Sequence, residues 1–207
     1  MQLQNYYYWF KDAIPHHVCD DIVRYAKSIQ DEMAVTGGLG NRKLNKKEVQ
    51  DLKKKRDSDI VWLNERWIYN AIHPFIHAAN RDAKWNFQWD FSESCQFTKY
   101  KKGQYYDWHC DSWDKPYDSP NTPSHGKTRK LSVTLSLSDD KDYSGGELEF
   151  DMRNQDPDKK TNTHVLKEIR SKGSLVVFPS DVWHRVKPVK RGIRHSLVIW
   201  NLGYPFK

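Results

Sequence analysis

Apolar positions change their spacing part-way along this chain. Before Trp85 they recur at intervals of three and four; after it they alternate. From Pro15 to about Met33, Val18, Ile22, Tyr25, Ala26 and Ile29 fall at helical spacing, and Pro15 suits a first helical turn. Thr36-Gly-Gly-Leu-Gly40 breaks that helix. A second helix is predicted from about Val61 to Asn80. There Leu63, Trp67, Ile68, Ala71, Ile72, Phe75 and Ile76 form a broad apolar face, and Pro74 is placed to kink it. Later, Leu131, Val133, Leu135 and Leu137 alternate with Ser132, Thr134 and Ser136, the period of a strand. Leu175 to Phe178 and Ile193 to Trp200 read as buried strands, and Gly145-Gly146 marks a tight turn before Glu147 to Phe150. Two helices followed by many short strands predict a mainly β fold of the α+β class, a jelly-roll barrel buttressed by N-terminal helices. One domain is expected over 1–207, with 1–84 as helical support plus a basic segment and 85–203 as the jelly-roll core. Two connections, Ser112 to Thr128 with its three prolines and the polar stretch Asp151 to Thr163, are long enough to carry specificity.

Composition narrows the class. A chain of 207 residues can bury roughly 70% of its unfolded surface in one core. It has no run of about 18 apolar residues, so no membrane span is expected. Met1 to Phe10 lacks the basic and apolar regions of a signal peptide. Cys19, Cys95 and Cys110 are odd in number and without metal-type spacing, which fits free thiols in a reducing cytoplasm. The net charge is +7, yet residues 41–56 hold eight basic residues (Arg42, Lys43, Lys46, Lys47, Lys53, Lys54, Lys55, Arg56) against Glu48 and Asp51. The remainder is close to neutral. This segment is expected to be a solvated, mobile loop or helix and not a nucleic-acid surface. A further reading places it beside an active site, where it would attract an acidic substrate.

The candidate chemistry lies in the second half. His109-Cys110-Asp111 is followed 73 positions after the aspartate by His184, and ten positions later by Arg194. On a strand, residues i and i+2 share a face, so His109 and Asp111 can reach one ion while Cys110 points away. Two imidazoles and a carboxylate form the facial triad of non-haem Fe(II) oxygenases, which leaves the remaining positions of an octahedral ion open. Arg194 offers a planar fork for a carboxylate. Together these describe a site for a dicarboxylate such as 2-oxoglutarate. His-x-Asp alone is more often a hydrogen-bonded pair than a ligand set. His73 and His77, one helical turn apart, have no third ligand and read as a helix-surface pair.

The surroundings carry the argument further. Tyr100-Lys-Lys-Gly103-Gln-Tyr-Tyr106-Asp-Trp-His109, Tyr143-Ser-Gly145-Gly146-Glu147-Leu148-Glu-Phe150, Gly173-Ser-Leu-Val-Val-Phe178-Pro179, His184-Arg-Val-Lys-Pro188 and Gly192-Ile-Arg194-His-Ser196-Leu-Val-Ile-Trp200 occur in that order. From about Tyr100 to Trp200 the chain resembles the prolyl-4-hydroxylase-like branch of the Fe(II)/2-oxoglutarate dioxygenases, most closely the PKHD-type hydroxylases. The resemblance implies a double-stranded β-helix with Fe(II) on His109, Asp111 and His184. It implies 2-oxoglutarate held by Arg194, Ser196 and Tyr100, with O2 as the other cosubstrate and L-ascorbate as an accessory. The loop residues Trp113 and Tyr117 would meet the substrate. The implied reaction hydroxylates a C–H bond, most plausibly of a peptidyl residue such as proline, and releases succinate and CO2. No protein acid–base pair is needed, because metal and cosubstrate carry the chemistry. Aspartate at 111 argues against a halogenase. PKHD-type proteins usually continue into a further helical region, and the basic stretch before Arg56 is outside the pattern. An AlkB-like nucleic-acid dealkylase would use the basic segment, but would typically carry a second arginine in the last strand, absent from Arg194 to Trp200. A non-catalytic, cupin-like metal-binding module is the third reading.

Overall fold

The computed structural model describes residues 5–29, 32–33, 45–152 and 162–205. In chain order the elements are β1 (Tyr8–Phe10), α1 (His16–Lys27), β2 (Glu32–Met33), α2 (Lys46–Lys55), β3 (Arg56–Asp57), β4 (Asp59–Leu63), α3 (Arg66–Asp82), β5 (Phe91–Ser92), β6 (Cys95–Tyr100), β7 (Tyr105–His109), β8 (Thr128–Ser136), β9 (Ser144–Gly145), β10 (Leu148–Asp151), β11 (Thr163–Leu166), β12 (Leu175–Pro179), β13 (His184–Val186), β14 (Val189–Arg191) and β15 (Arg194–Gly203). The larger sheet runs β1-β12-β8-β15-β6-β4-β2, with β5 also pairing β15; the smaller runs β11-β10-β13-β7-β3. Every pairing is antiparallel. This is the expected jelly roll with helical support. No described helix is long and apolar enough to cross a membrane.

Strand alternation divides the core in two. Leu131, Val133 and Leu135 of β8 and Leu197 and Ile199 of β15 pack with Ile22 of α1 and Ile68, Ile72 and Ile76 of α3. Each such fully buried side chain contributes about 1.5–3 kcal/mol of transfer free energy. The opposite face of the same strands points into the barrel, where Tyr100, Leu148, Phe150, Val176 and Phe178 form a second cluster. Ser132, Thr134 and Ser136 are therefore buried although polar. Buried hydroxyls need partners, and Ser136 Oγ donates to the Ile169 carbonyl at 2.5 Å.

The sequence expectations need three corrections. The second helix does not start at Val61. Residues 59–63 are β4, and the β-branched pair Ile60-Val61 with Leu63 is buried in the larger sheet. The helix begins at Arg66, and Pro74 sits within it on the exposed side. The first helix ends at Lys27, capped at Ser28, and residues 32–33 pair with β4 instead. The boundary at 84/85 is not a boundary of the sheets, since β1, β3 and β4 all join them. The basic segment, where described, is the helix α2, opened by a reciprocal Asn45–Glu48 capping box. Residues 41–44, the Thr36–Gly40 breaker and 153–161 of the polar loop lie outside the described residues.

Candidate active site

β7 and β13 are neighbours in the smaller sheet, with His184 directly opposite His109. Asp111 is not on β7, which ends at His109. Its backbone N–H donates to the Ser180 carbonyl at 2.8 Å, and the Ser112 N–H to the same oxygen at 2.9 Å, so the chain turns about Ser180. The turn brings Asp111 Oδ1 to 3.7 Å from His109 Nε2, and Oδ2 to 3.7 Å from His184 Nε2. One ligand atom from each of the three residues lies within 4.8 Å of the others. Cys110 stays out of the cluster, its thiol directed at the Ser112 carbonyl.

The three side chains are fixed from behind. His109 Nδ1 donates to Asp107 O at 2.7 Å, and His184 Nδ1 to Val182 O at 3.0 Å. Each Nε2 is thereby left as a lone pair facing the cluster. Ser132 Oγ donates to Asp111 Oδ2 at 2.7 Å, so the polar alternation in β8 serves the site. Tyr106 stacks on His109 at 3.5 Å, and Phe178 packs edge-on against His184 at 4.8 Å. Burial, then the neighbouring His184, hold the His109 imidazole well below its ordinary pKa. Burial pushes Asp111 up, but His184, His109, Arg129 and the Ser132 hydroxyl outweigh it, and its carboxyl ends below the usual range. Neutral imidazole and ionised carboxylate are the forms that ligate a divalent ion. Separations of 3.7 Å are too long for direct hydrogen bonds and leave room for an ion. The residues present fit Fe(II).

A narrow cavity joins these three residues to Arg194, Ser196 and Tyr100. Arg194 opens β15 opposite Tyr100 of β6. It is 3% exposed, donates from Nη1 to Ser196 Oγ at 3.2 Å and lies 5.6 Å from the Tyr100 ring centre. Among the described residues it has no carboxylate partner, as befits a receptor for one. The arginine, serine and tyrosine singled out in the sequence are thus brought together. Trp113 and Tyr117 are also close to the site, in different ways. Arg129 grips Glu93 through Nε at 2.9 Å and Nη2 at 2.5 Å. Its guanidinium stacks over Trp200 at 3.9 Å and Trp113 at 4.6 Å. The Tyr117 hydroxyl donates to Glu93, so it is already occupied, while Trp113 is 48% exposed. Sequence reasoning missed Arg56, Gln96 and Trp200, which line the cavity, and the Arg129–Glu93 pair beside it. The Trp200 Nε1–H is buried without a partner among the described residues. Arg56 carried a signal, as the last residue of the basic run, but nothing in that run distinguishes it from its seven basic neighbours.

A family model described as the 2OG-Fe(II) oxygenase superfamily matches residues 95–201, just over half the chain. The chain belongs to this superfamily. Its members are 2-oxoglutarate-dependent iron dioxygenases that require Fe(II), 2-oxoglutarate and O2. A PKHD-type hydroxylase of Synechococcus sp. (strain CC9902) is 37% identical over 103 residues, 49% of this chain and 38% of that protein. A PKHD-type hydroxylase of Pseudoalteromonas atlantica is 34% identical over 107 residues, 51% of this chain and 41% of that one. The oxygenase spans about two fifths of the length of the curated relatives it matches. Among solved structures, a Pseudomonas putida prolyl-4-hydroxylase superposes with a TM-score of 0.65 at 19% identity, covering 96% of this chain and 92% of that one. A viral collagen prolyl hydroxylase from Paramecium Bursaria Chlorella virus-1, in a 2OG complex, gives 0.63 at 20% identity and 97% of both chains. At these identities the likeness speaks for the fold. The relatives matched in sequence are PKHD-type hydroxylases, and the fold neighbours are prolyl hydroxylases.

Proposed function

We propose that this oxygenase hydroxylates a C–H bond of a peptidyl residue such as proline, with release of succinate and CO2. The observation that carries the reading is the joining of the His109–Asp111–His184 cluster to the buried, carboxylate-free Arg194 in one cavity. His109, Asp111 and His184 would hold Fe(II), which with 2-oxoglutarate and O2 supplies the oxidising chemistry. Arg194, with Ser196 and Tyr100 beside it, would bind the distal carboxylate of the cosubstrate and set its direction. The backbone carbonyls of Asp107 and Val182 keep both imidazoles in the ligating tautomer, and Ser132 holds Asp111. Tyr106, Phe178 and Phe150 wall the imidazoles and keep water from the cluster. Trp113, exposed at the lip and backed by Arg129, is the surface on which a peptide would lie. Prolyl hydroxylases among the fold neighbours support a peptide substrate by analogy. The cytoplasm suits such an enzyme.

The test is succinate formation by the iron-loaded chain with candidate peptides and, separately, methylated oligonucleotides. Peptide-stimulated succinate with a +16 Da product supports the reading; stimulation by the oligonucleotides alone replaces it with a dealkylase. His184→Ala is expected to lose both stoichiometric metal and turnover. Full activity in that variant would remove His184 from the ligand set.

A further inference from the structure

Arg56 is a second buried cation in the cavity, and the cofactors leave it without an anion. It is 5% exposed and lines the same space as His109, Asp111 and His184. Its guanidinium lies 4.6 Å over the Tyr106 ring, the ring that stacks on His109. Its hydrogen bonds go to neutral groups: Nε to Ser58 Oγ at 3.0 Å and Nη2 to Gln96 Oε1 at 2.5 Å. Among the described residues no carboxylate stands within ion-pair distance of it. Beside Arg194, which awaits the cosubstrate, the nearby arginines are paired: Arg129 is clasped by Glu93, and Arg185 meets Glu149 at 2.6 Å. A buried charge without a counter-ion is unfavourable, so an arginine kept this way points to an anion that arrives with a ligand.

The cosubstrate does not supply that anion. A divalent metal, Asp111, Arg194 and Arg56 together carry three net positive charges. The two carboxylates of 2-oxoglutarate cancel two of them, at the metal and at Arg194. One charge remains, at Arg56. Its position suits an incoming molecule, since β3 is the outermost strand of the smaller sheet, pairing Arg56 with Tyr106. The basic helix α2 runs directly into it. Lys55 Nζ donates to the Trp108 carbonyl at 2.6 Å, and the Tyr105 hydroxyl donates to the Lys54 carbonyl at 2.8 Å, fixing α2 beside the strand that carries His109. Exposed lysines around a buried guanidinium fork make an electrostatic funnel with an oriented receptor at its end.

We propose that Arg56 binds a carboxylate of the substrate, so that the hydroxylated molecule is an acidic peptide. This rests on the reading of the cavity as a peptidyl hydroxylase site. The carboxylate is that of an Asp or Glu side chain near the oxidised residue, or the peptide's own terminus. Either presents a planar anion to a planar fork seated over the Tyr106 ring.

The whole chain, loaded with Mn(II) and 2-oxoglutarate, is titrated against fluorescein-labelled proline-centred nonapeptide pools, read by anisotropy. One pool is rich in Asp and Glu; its twin carries Asn and Gln; each is made as free acid and as C-terminal amide. The acidic pool is expected to bind about tenfold more tightly than its twin. Arg56→Gln is expected to lose about tenfold on the acidic pool and nothing on the neutral one, with 2-oxoglutarate affinity, read by absorbance of the anaerobic Fe(II) form, within about twofold of wild type. Arg56→Lys keeps the charge and guards against a misfolded glutamine variant. It is expected to fall between the two, because a point charge replaces the fork. Loss of binding on amidation assigns the terminal carboxylate, and its persistence assigns a side chain. Equal binding of the two pools, wild-type binding by Arg56→Lys, or a tenfold loss of 2-oxoglutarate affinity in Arg56→Gln overturns the proposal. So does Arg56-dependent binding of a single-stranded oligonucleotide in preference to the acidic pool. Succinate formation without any peptide binding overturns the role of Arg56 and leaves the oxygenase standing. Arg56-dependent binding without turnover keeps the receptor and removes the hydroxylase reading.

Discussion

A single methyl group added at Gly146 would reach Arg194. A Cβ there would lie 2.9 Å from Arg194 Cδ and 3.0 Å from Val189 Cγ2, at a φ of +67°. The glycine turn predicted from the sequence therefore does more than reverse the chain: it leaves the room that Arg194 occupies. Arg194→Ala is expected to keep its metal but weaken 2-oxoglutarate binding by about 2–4 kcal/mol, since a charge-assisted bidentate contact is lost. Anaerobic titration of the iron-loaded variant, with charge-transfer absorbance as the signal, measures it. Unchanged affinity would mean that another residue anchors the cosubstrate. Gly146→Ala is expected to reproduce part of that loss by displacing the guanidinium, with about 1–2 kcal/mol of backbone strain added. At this scale the sequence was informative where chemistry demands a fixed spacing. His109, Asp111, His184 and Arg194 stood out because a metal and a dicarboxylate constrain them together. Arg56 and Arg129 did not, because a lone arginine shows nothing of which side chain will fold inward. Ser132 was legible only as one polar step in an alternating strand; its bond to Asp111 depends on a partner 21 residues away.

Among the elements, α3 and α2 do different work. Ile68, Ile72 and Ile76 of α3 are fully buried against the outer face of the larger sheet, away from the cavity. Ile72→Ala is expected to destabilise the fold by about 2–5 kcal/mol. Because Ile72 lies on the far side of the sheet from Arg194, the affinity of the remaining folded protein for 2-oxoglutarate should stay the same. Urea unfolding and the absorbance titration, run on the same sample, check the two halves of this expectation; a parallel loss in both would show that α3 shapes the site. Residues 61–63 read as helix from the sequence because Leu63 stands one turn before Trp67, although it is roughly opposite the buried Ile68, Ile72 and Ile76. The β-branched Ile60-Val61 was the stronger local signal, but it is too short to outvote a long periodic stretch. The pairing of β3 with β7, which brings Arg56 to Tyr106, has no local signature. Register between strands some fifty residues apart is set by tertiary packing and not by either segment alone.

For the molecule as a whole, a sheet buried on both faces has a consequence for acid stability. His195 lies on β15 between Arg194 and Ser196, with its ring stacked on Phe97 at 5.4 Å. Its Nε2 is buried without a hydrogen-bond partner among the described residues, and Nδ1 lies 3.4 Å from Ser138 Oγ. Burial, then Lys27, Lys99 and Arg194, lower its pKa to about 4. Above an ordinary histidine pKa of about 6.5 the ring is neutral in both folded and unfolded chains, and it contributes no pH dependence. As pH falls from there toward 4, the unfolded chain takes up a proton that the folded one refuses. Stability then drops with decreasing pH, by up to about 3 kcal/mol once both pKa values are passed. Replacing the ring by an apolar one of similar size removes the penalty while keeping the stack on Phe97. His195→Phe should therefore be close to wild type in stability at pH 7.5, and progressively more stable than wild type between pH 6.5 and 4. Acid-sensitive carboxylates elsewhere cancel in the difference between the two proteins, so the comparison isolates this one ring. Urea midpoints measured in parallel across that range give the answer: a wild-type-minus-variant difference that stays flat with pH would show that His195 protonates freely in the folded chain, and that this face of the sheet is open to water.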